Sequence, residues 1–213
     1  MEKKKPLSKQ PVPNRFSRTS SKKKSDTSWE SVGTWYDQLV GYQGHYFHEK
    51  VIFPNGLKLL QLDQKQSSSL LDLCCGQGVF ARILPAWVDY VGVDLSPLLI
   101  QTAKKMTKNP QATFLVGDAT KALAVKKKDF THAACVLALQ NVENPLELFL
   151  QAYEHLQVEG KFLLVCNHPC FRIPRQSSWG VDPHTQVQYR RMDRYLTPMQ
   201  IPIQAHPGQR DAS

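Results

Sequence analysis

The sequence predicts an α/β fold, a doubly wound parallel sheet, and three observations lead there. Short apolar runs of strand length alternate with stretches of helical periodicity between residues 69 and 166. A glycine turn, Gly76-x-Gly78, separates the first apolar run from the helical pattern behind it. An aspartate falls in or just after each of the first three strands, at Asp72, Asp94 and Asp118. Strand, helix and strand repeating at this period bury the strands on both faces, which is why they read as nearly continuous apolar runs.

Leu70, Leu71 and Leu73 make the first strand, and Val79, Phe80, Ile83 and Leu84 give the next helix its apolar face. Residues 88–93 read as the second strand, ending at Asp94. Ser96 is an N-cap and Pro97 an N1 proline, so a helix opens there and runs to Met106. Residues 113–116 form a third strand closed by Gly117, Asp118 and Ala119, and residues 129–139 a fourth leading into Gln140 and Asn141. Asn144 and Pro145 start a helix with Leu146, Phe149, Leu150, Tyr153 and Leu156 on one face. Glu147 at N3 forms a capping-box-like arrangement. Gly160 is expected to end that helix, and residues 161–166 to form the fifth strand.

Around this core the chain divides unevenly. Of the formal net charge of +9, residues 1–28 hold +7, and they are rich in Lys, Ser and Pro. Such a segment buries too little apolar surface to offset its ordering entropy and is expected to be a disordered basic tail. Simple electrostatics would allow it weak contact with nucleic acid. Residues 29–62 read as two helical pieces, Trp29, Val32, Tyr36, Leu39 and Val40 lining one and Leu57, Leu59, Leu60 and Leu62 the other. Between them an aromatic, glycine-containing stretch with His45 and His48 is placed to fold over a ligand as a lid. The domain thus spans 29–213, with a lid at 29–62, a cofactor-binding core at 67–168 and a substrate-side loop at 169–213. Residues 187–195 and 199–203 are only weakly strand-like.

The composition excludes several classes. With 41% hydrophobic and 21% charged residues the chain is that of a globular protein. Apolar runs are too short for a membrane span, and no secretory signal follows the N-terminal lysines. The five cysteines, Cys74, Cys75, Cys135, Cys166 and Cys170, lack metal or redox spacing. They are expected to be reduced thiols in a cytoplasmic protein, and no metal is expected.

The glycine turn is compatible with two ligands. Gly76-x-Gly78-x-x-Ala81 fits the dinucleotide fingerprint, and Asp94 stands where a ribose-binding acid belongs. This keeps an NAD-dependent oxidoreductase open. Asp72, four residues before the first glycine, instead favours a ligand with a cationic end, because its charge would repel a pyrophosphate. Asp72 and Asp94 lie 22 residues apart, and Asp94 and Asp118 lie 24 apart.

DLCCGQG, VGVDLSP and VGDAT resemble the three cofactor motifs of the class I S-adenosylmethionine-dependent methyltransferases, whose fold is a Rossmann-like doubly wound sheet. The likeness spans roughly residues 28–180. It implies S-adenosylmethionine (SAM) as cofactor and transfer of its methyl group to an acceptor, a small molecule being preferred because the domain has little net charge. It implies that Asp72, Gly76 and Gly78 meet the methionine end, Asp94 the ribose, and Asp118, Ala119 and Leu95 the adenine. Tyr36 in the lid and Cys75, in a slot usually held by a smaller residue, complete the cofactor-binding set. Asn167 and His168, after the fifth strand, are the catalytic candidates; Asn167-His168-Pro169 is similar to an amine-positioning motif, although that motif follows the fourth strand in the family. His45 and His48 are further candidate bases, and Arg172 and Arg175 candidate anion contacts. The family's sheet ends in an antiparallel hairpin of sixth and seventh strands. Only about 45 residues follow Cys166 here, so a complete hairpin is not expected, and a shortened C-terminus would leave the fifth strand with an apolar edge. A non-catalytic remnant of the fold is the third reading.

Overall fold

A computed structural model describes residues 39–168 and 176–197. The expected basic tail, the stretch before position 39 that reads as helical, with Tyr36, and Cys170, Arg172, Arg175 and the 199–203 run lie outside the described residues. Five strands, β1 (Ser69–Leu73), β2 (Asp89–Asp94), β3 (Ala112–Val116), β4 (Phe130–Val136) and β5 (Leu156–Val165), form one parallel sheet in the order β3-β2-β1-β4-β5. The chain moves outward from β1 to β3 and then returns to β1's other side. The sheet therefore reverses direction between β1 and β4, and ligands of doubly wound folds bind at the carboxyl ends beside such a switch.

The helices are α1 (Phe53–Leu60), α2 (Val79–Ile83), α3 (Pro97–Met106) and α4 (Pro145–His155). Pleating sends alternate residues of β1 to opposite faces. Leu70 packs with Phe53, Phe80, Tyr90, Ile100 and Phe114 on one side. Leu71 and Leu73 pack with Val93, Phe130, Ala133, Leu148 and Ala152 on the other. All five residues of β1 are buried, and each leucine contributes about 1.5–3 kcal/mol of apolar burial. Asp72 therefore falls on the face of Leu70, within the first cluster.

Ser96 caps α3 as expected, its hydroxyl accepting from Leu99 N at 3.2 Å ahead of the N1 proline. Around α4 the structure departs from the sequence reading in three ways. The Asn144 side chain makes no cap hydrogen bond, so the capping box does not form. The helix ends at His155 rather than near Gly160, because Leu156 is already extended and pairs with Phe130. Residues 157–160 then bulge out of the β4–β5 ladder, with Glu159 in the left-handed region at φ 63°, before pairing resumes at Lys161. Most consequentially, the buried face of α4 is Leu148, Gln151, Ala152 and His155. Of the predicted face, Leu146, Phe149, Leu150 and Tyr153 are exposed, Tyr153 at 79%, and only Leu156, already in β5, packs against the core.

A two-stranded antiparallel hairpin, β6 (Ser177–Val181) and β7 (Gln188–Met192), is present where the complete hairpin of the family was not expected. It makes its own separate sheet and does not extend the parallel one. Tyr189 lies across Gly180 on one face of it, while Arg190 covers Trp179 with its guanidinium 5.1 Å from the ring centre on the other. Among the described residues, β5 pairs with β4 alone.

Gly78 shows how tightly the turn is packed against the sheet. Its φ is +72°, and a Cβ there would stand 2.8 Å from the Phe114 ring and 3.0 Å from Ala103. Gly41 has a similar φ of +63° but open space around it. Gly78→Ala should accordingly lower the unfolding free energy by about 2–4 kcal/mol and Gly41→Ala by only about 1 kcal/mol, read from urea denaturation.

Candidate functional site

The turn after β1 is built on three left-handed residues, Cys74 (φ 62°), Gly76 (φ 55°) and Gly78 (φ 72°). The glycine-like slot held by a larger residue is therefore Cys74, not Cys75 as the motif comparison implied. A non-glycine residue there costs about 1–2 kcal/mol, and two hydrogen bonds hold the turn on β2. Cys75 N donates to Val93 O at 3.0 Å, and Gly76 N donates to Asp94 Oδ2 at 2.8 Å. The other Asp94 oxygen accepts from Ser96 N at 2.9 Å. Asp94 thus joins the turns that follow β1 and β2.

These turns border a cavity of about 740 Å³ at the carboxyl ends of the strands. Asp72, Cys75, Gly76, Asp94, Leu95, Asp118 and Ala119 of the predicted cofactor set line it, as do Asn167 and His168. Gly78 does not; its position is set by packing on Phe114 and Ala103. Asp118 turns its Oδ1 to Thr120 N and Oγ1, at 2.9 and 2.6 Å, and pairs through Oδ2 with Lys121 at 3.0 Å. Although partial burial opposes it, these bonds and the lysine hold its carboxyl below the usual range. Leu95 is half exposed at the rim, and Ala119 is buried in the wall. Asn167 and His168 are exposed at the end of β5.

Asp72 differs from the other two acids. It is buried, its Oδ2 accepts from Tyr90 Oη at 2.6 Å, and among the described residues no basic side chain pairs with it. Burial raises its pKa to about 7, the Tyr90 bond opposing that rise and the Asp94 charge adding to it. A buried carboxyl facing a cavity without a cation of its own is matched to a ligand that brings one.

The stretch expected to act as a lid is described from residue 39 onward. Leu39, Val40, His45, Phe47 and His48 line the cavity on the side away from the sheet. Arg82 on α2 fastens this segment, donating to Tyr42 O at 2.8 Å and to Gln77 O at 2.6 Å, with its guanidinium 5.2 Å from the Tyr42 ring centre. His48 stacks on Phe53 at 5.2 Å and accepts from His45 N through Nδ1 at 3.1 Å. Burial lowers its pKa and the nearby His45 adds to this, so the ring is neutral with its proton on Nε2. In that tautomer His48 offers the cavity a donor rather than a base.

Sequence reasoning missed Gln140, Asn141 and Glu143, which line the cavity from the 3₁₀ turn (Leu139–Asn141) and the residues after it. Their signal was the polar run between a buried strand and a proline-started helix, just beyond the sheet's switch point. Gln77, between the two turn glycines, also lines the cavity and was passed over as a spacer. The thiols of Cys74 and Cys75 are pushed well above their ordinary pKa, Cys74 chiefly by its contact with Cys135 and Cys75 by burial. Neither is a nucleophile at neutral pH.

Residues 71–164 match the family model described as a methyltransferase domain. Demethylmenaquinone methyltransferase of Leptospira interrogans is 27% identical over 145 residues, 64% of this chain and 57% of that protein. An S-adenosylmethionine-dependent methyltransferase from Mesorhizobium loti superposes with a TM-score of 0.56 at 27% identity, over 67% of this chain and 65% of that one. Phosphoethanolamine N-methyltransferase 2 of Haemonchus contortus, solved with S-adenosyl-L-methionine, shares the fold at a TM-score of 0.54 and 21% identity, over 71% and 33%. The chain thus spans less than two thirds of the length of these relatives.

The raised pKa of Asp72 makes a stability prediction. Its folded pKa lies above the unfolded value, so the folded state binds the proton more tightly. The resulting stability is present below about pH 4 and lost as pH rises toward 7. Asp72→Asn removes this loss. Its melting temperature relative to the native protein should climb between pH 4 and 7, by a free energy of up to about 4 kcal/mol. Thermal melts at several pH values check it.

Proposed function

We propose that this chain, a member of the class I S-adenosylmethionine-dependent methyltransferases through its residues 71–164, transfers a methyl group from SAM to a small acceptor with an apolar body. The observation that supports this most is the gathering of Asp72, Asp94 and Asp118, from the ends of three adjacent strands, around one cavity large enough for a nucleoside with an amino-acid arm. The residues fit that cofactor. Asp72 is a buried acid with no cationic partner among the described residues, suited to a cationic end, and Asp94 lines the cavity where a ribose hydroxyl would meet its carboxylate. Leu95, Leu99 and Ala119 supply apolar cover for a base. The same Asp72 charge disfavours a pyrophosphate and with it the oxidoreductase reading.

When bound, the cofactor supplies a methyl group on a sulfonium whose leaving thioether is neutral. The protein's work is then alignment and exclusion of water rather than stabilisation of a developing charge. Leu39, Phe47, Val51 and Ile52 shield the cavity and give an acceptor an apolar bed. Asn167 and His168 stand at its β5 side, where an amide could orient the acceptor and an imidazole could take a proton from it. The name of the Leptospira relative is consistent with a small apolar acceptor. Weak contact of the basic tail with nucleic acid is a separate and subordinate proposal.

Calorimetric titration of the full chain with S-adenosylhomocysteine tests the cofactor assignment. Binding in the micromolar range is expected, with Asp94→Ala, checked for folding by circular dichroism, weakened by about tenfold or more. A folded native protein that binds NAD and not S-adenosylhomocysteine refutes the reading.

A further inference from the structure

Tyr90 is fully buried near the start of β2, on the sheet face that also bears Asp72. The two are offset along the ladder, since Tyr90 pairs with Leu70 and Asp72 with Gly92. The tyrosine ring reaches the carboxyl by lying along its own strand, over the glycine. A Cβ at Gly92 would stand 3.0 Å from that ring and 2.8 Å from Cys75 Sγ. Phe114 of β3 holds the ring's other side, with centroids 5.5 Å apart. A phenylalanine would fill the same space without burying a hydroxyl, and the hydroxyl donates to Asp72 Oδ2 at 2.6 Å beside the Cys75 thiol.

We propose that Tyr90 is a positioning residue for the cofactor: its hydroxyl fixes the Asp72 carboxyl at the cavity and favours the ionised form that the cofactor's cationic end requires. The inference rests on the SAM reading above. A carboxyl that titrates near neutrality is about half protonated at pH 7, and a cation admitted beside it drives the proton off. The groups acting on this pair are few. Asp94 at the end of β2 favours the protonated form of Asp72, and Tyr90 favours the ionised one. Cys75 lies beside both, Arg82 of α2 acts on the phenol, and β4 offers only Ala134 opposite Asp72. His45 and His48 of the lid line the same cavity from the other side.

The test is calorimetric titration of the full chain with S-adenosylhomocysteine in two buffers of different ionisation enthalpy, from pH 5.5 to 8. For the native protein the released proton count should fall from near one at the acid end, through about half at pH 7, toward none at pH 8. Affinity should rise over the same range. Tyr90→Phe removes the donor that favours the ionised carboxyl, so both profiles should move to higher pH. Affinity at pH 7 should drop roughly three- to tenfold, while 5′-methylthioadenosine, which lacks the amino-acid end, should bind within about twofold of native. Asp72→Asn should bind with neither proton release nor pH dependence below pH 8. Binding of S-adenosylhomocysteine with no buffer dependence overturns this proposal alone, as does a Tyr90→Phe profile equal to native or an equal loss for both ligands. A folded native protein that binds neither ligand overturns the cofactor reading together with it.

Discussion

The rest of the site depends on one carboxylate. Asp94 accepts from Gly76 N with one oxygen and from Ser96 N with the other, so the turn after β1 and the turn into α3 share an anchor. Its backbone oxygen accepts from Gly117 N at 2.9 Å, bringing the turn after β3 to the same point. Three strand ends that are distant in sequence are thereby fixed relative to one another at the place where the sheet reverses direction. Backbone groups at strand ends have no ladder partner, and their satisfaction by one residue, through its side chain and its backbone oxygen, defines the rim of the cavity.

The cavity's floor opposes that ordering with strain. Cys74 occupies a left-handed conformation, and Asp72 is held in the interior with a phenol and no cation. Both features cost folding free energy, and they sit side by side in the first turn. The surrounding packing offsets them: β1 is buried along its full length, Gly78 meets Phe114 and Ala103, and Gly92 makes room for Cys75 and Tyr90. Stability is thus drawn from the sheet and its flanking helices, while the residues facing the cavity keep the polarity that a cationic ligand requires. The match of residues 71–164 to a methyltransferase domain model gives that polarity its meaning.

Much of this was legible in the chain itself, because strands buried on both faces leave continuous apolar runs and glycine turns leave glycines. β1, β2, β3 and α3 lie where those signals put them, α3 to the residue. α4 was harder for a physical reason. Leu146, Phe149, Leu150 and Tyr153 recur at helical spacing, and so do Leu148, Gln151, Ala152 and His155. The second set packs on the sheet because Ala152 permits close approach and because Gln151 Oε1 and His155 Nδ1 find partners. Gln151 Oε1 accepts from Leu123 N, and His155 Nδ1 meets Gln151 O. Periodicity ranks faces by hydrophobicity and cannot see such partners. Tyr90 was hidden in the same way, since its role depends on an offset of two residues across a ladder that only pairing reveals.

The strand order also sets a timetable. β1 finds its first neighbour, β2, some twenty residues downstream, but its other edge waits for β4, where Leu70 meets His132 after 62 further residues. At the pace of synthesis, about 5–20 residues per second, the unpaired edge of a leucine-rich strand emerges from the ribosome and stays uncovered for several seconds. β3, β2 and β1 can assemble in that interval, yet the cavity has only one wall until β4 arrives. Of the strands that end with neighbours on both sides, the most buried is thus the one whose second edge waits longest while the molecule is being made.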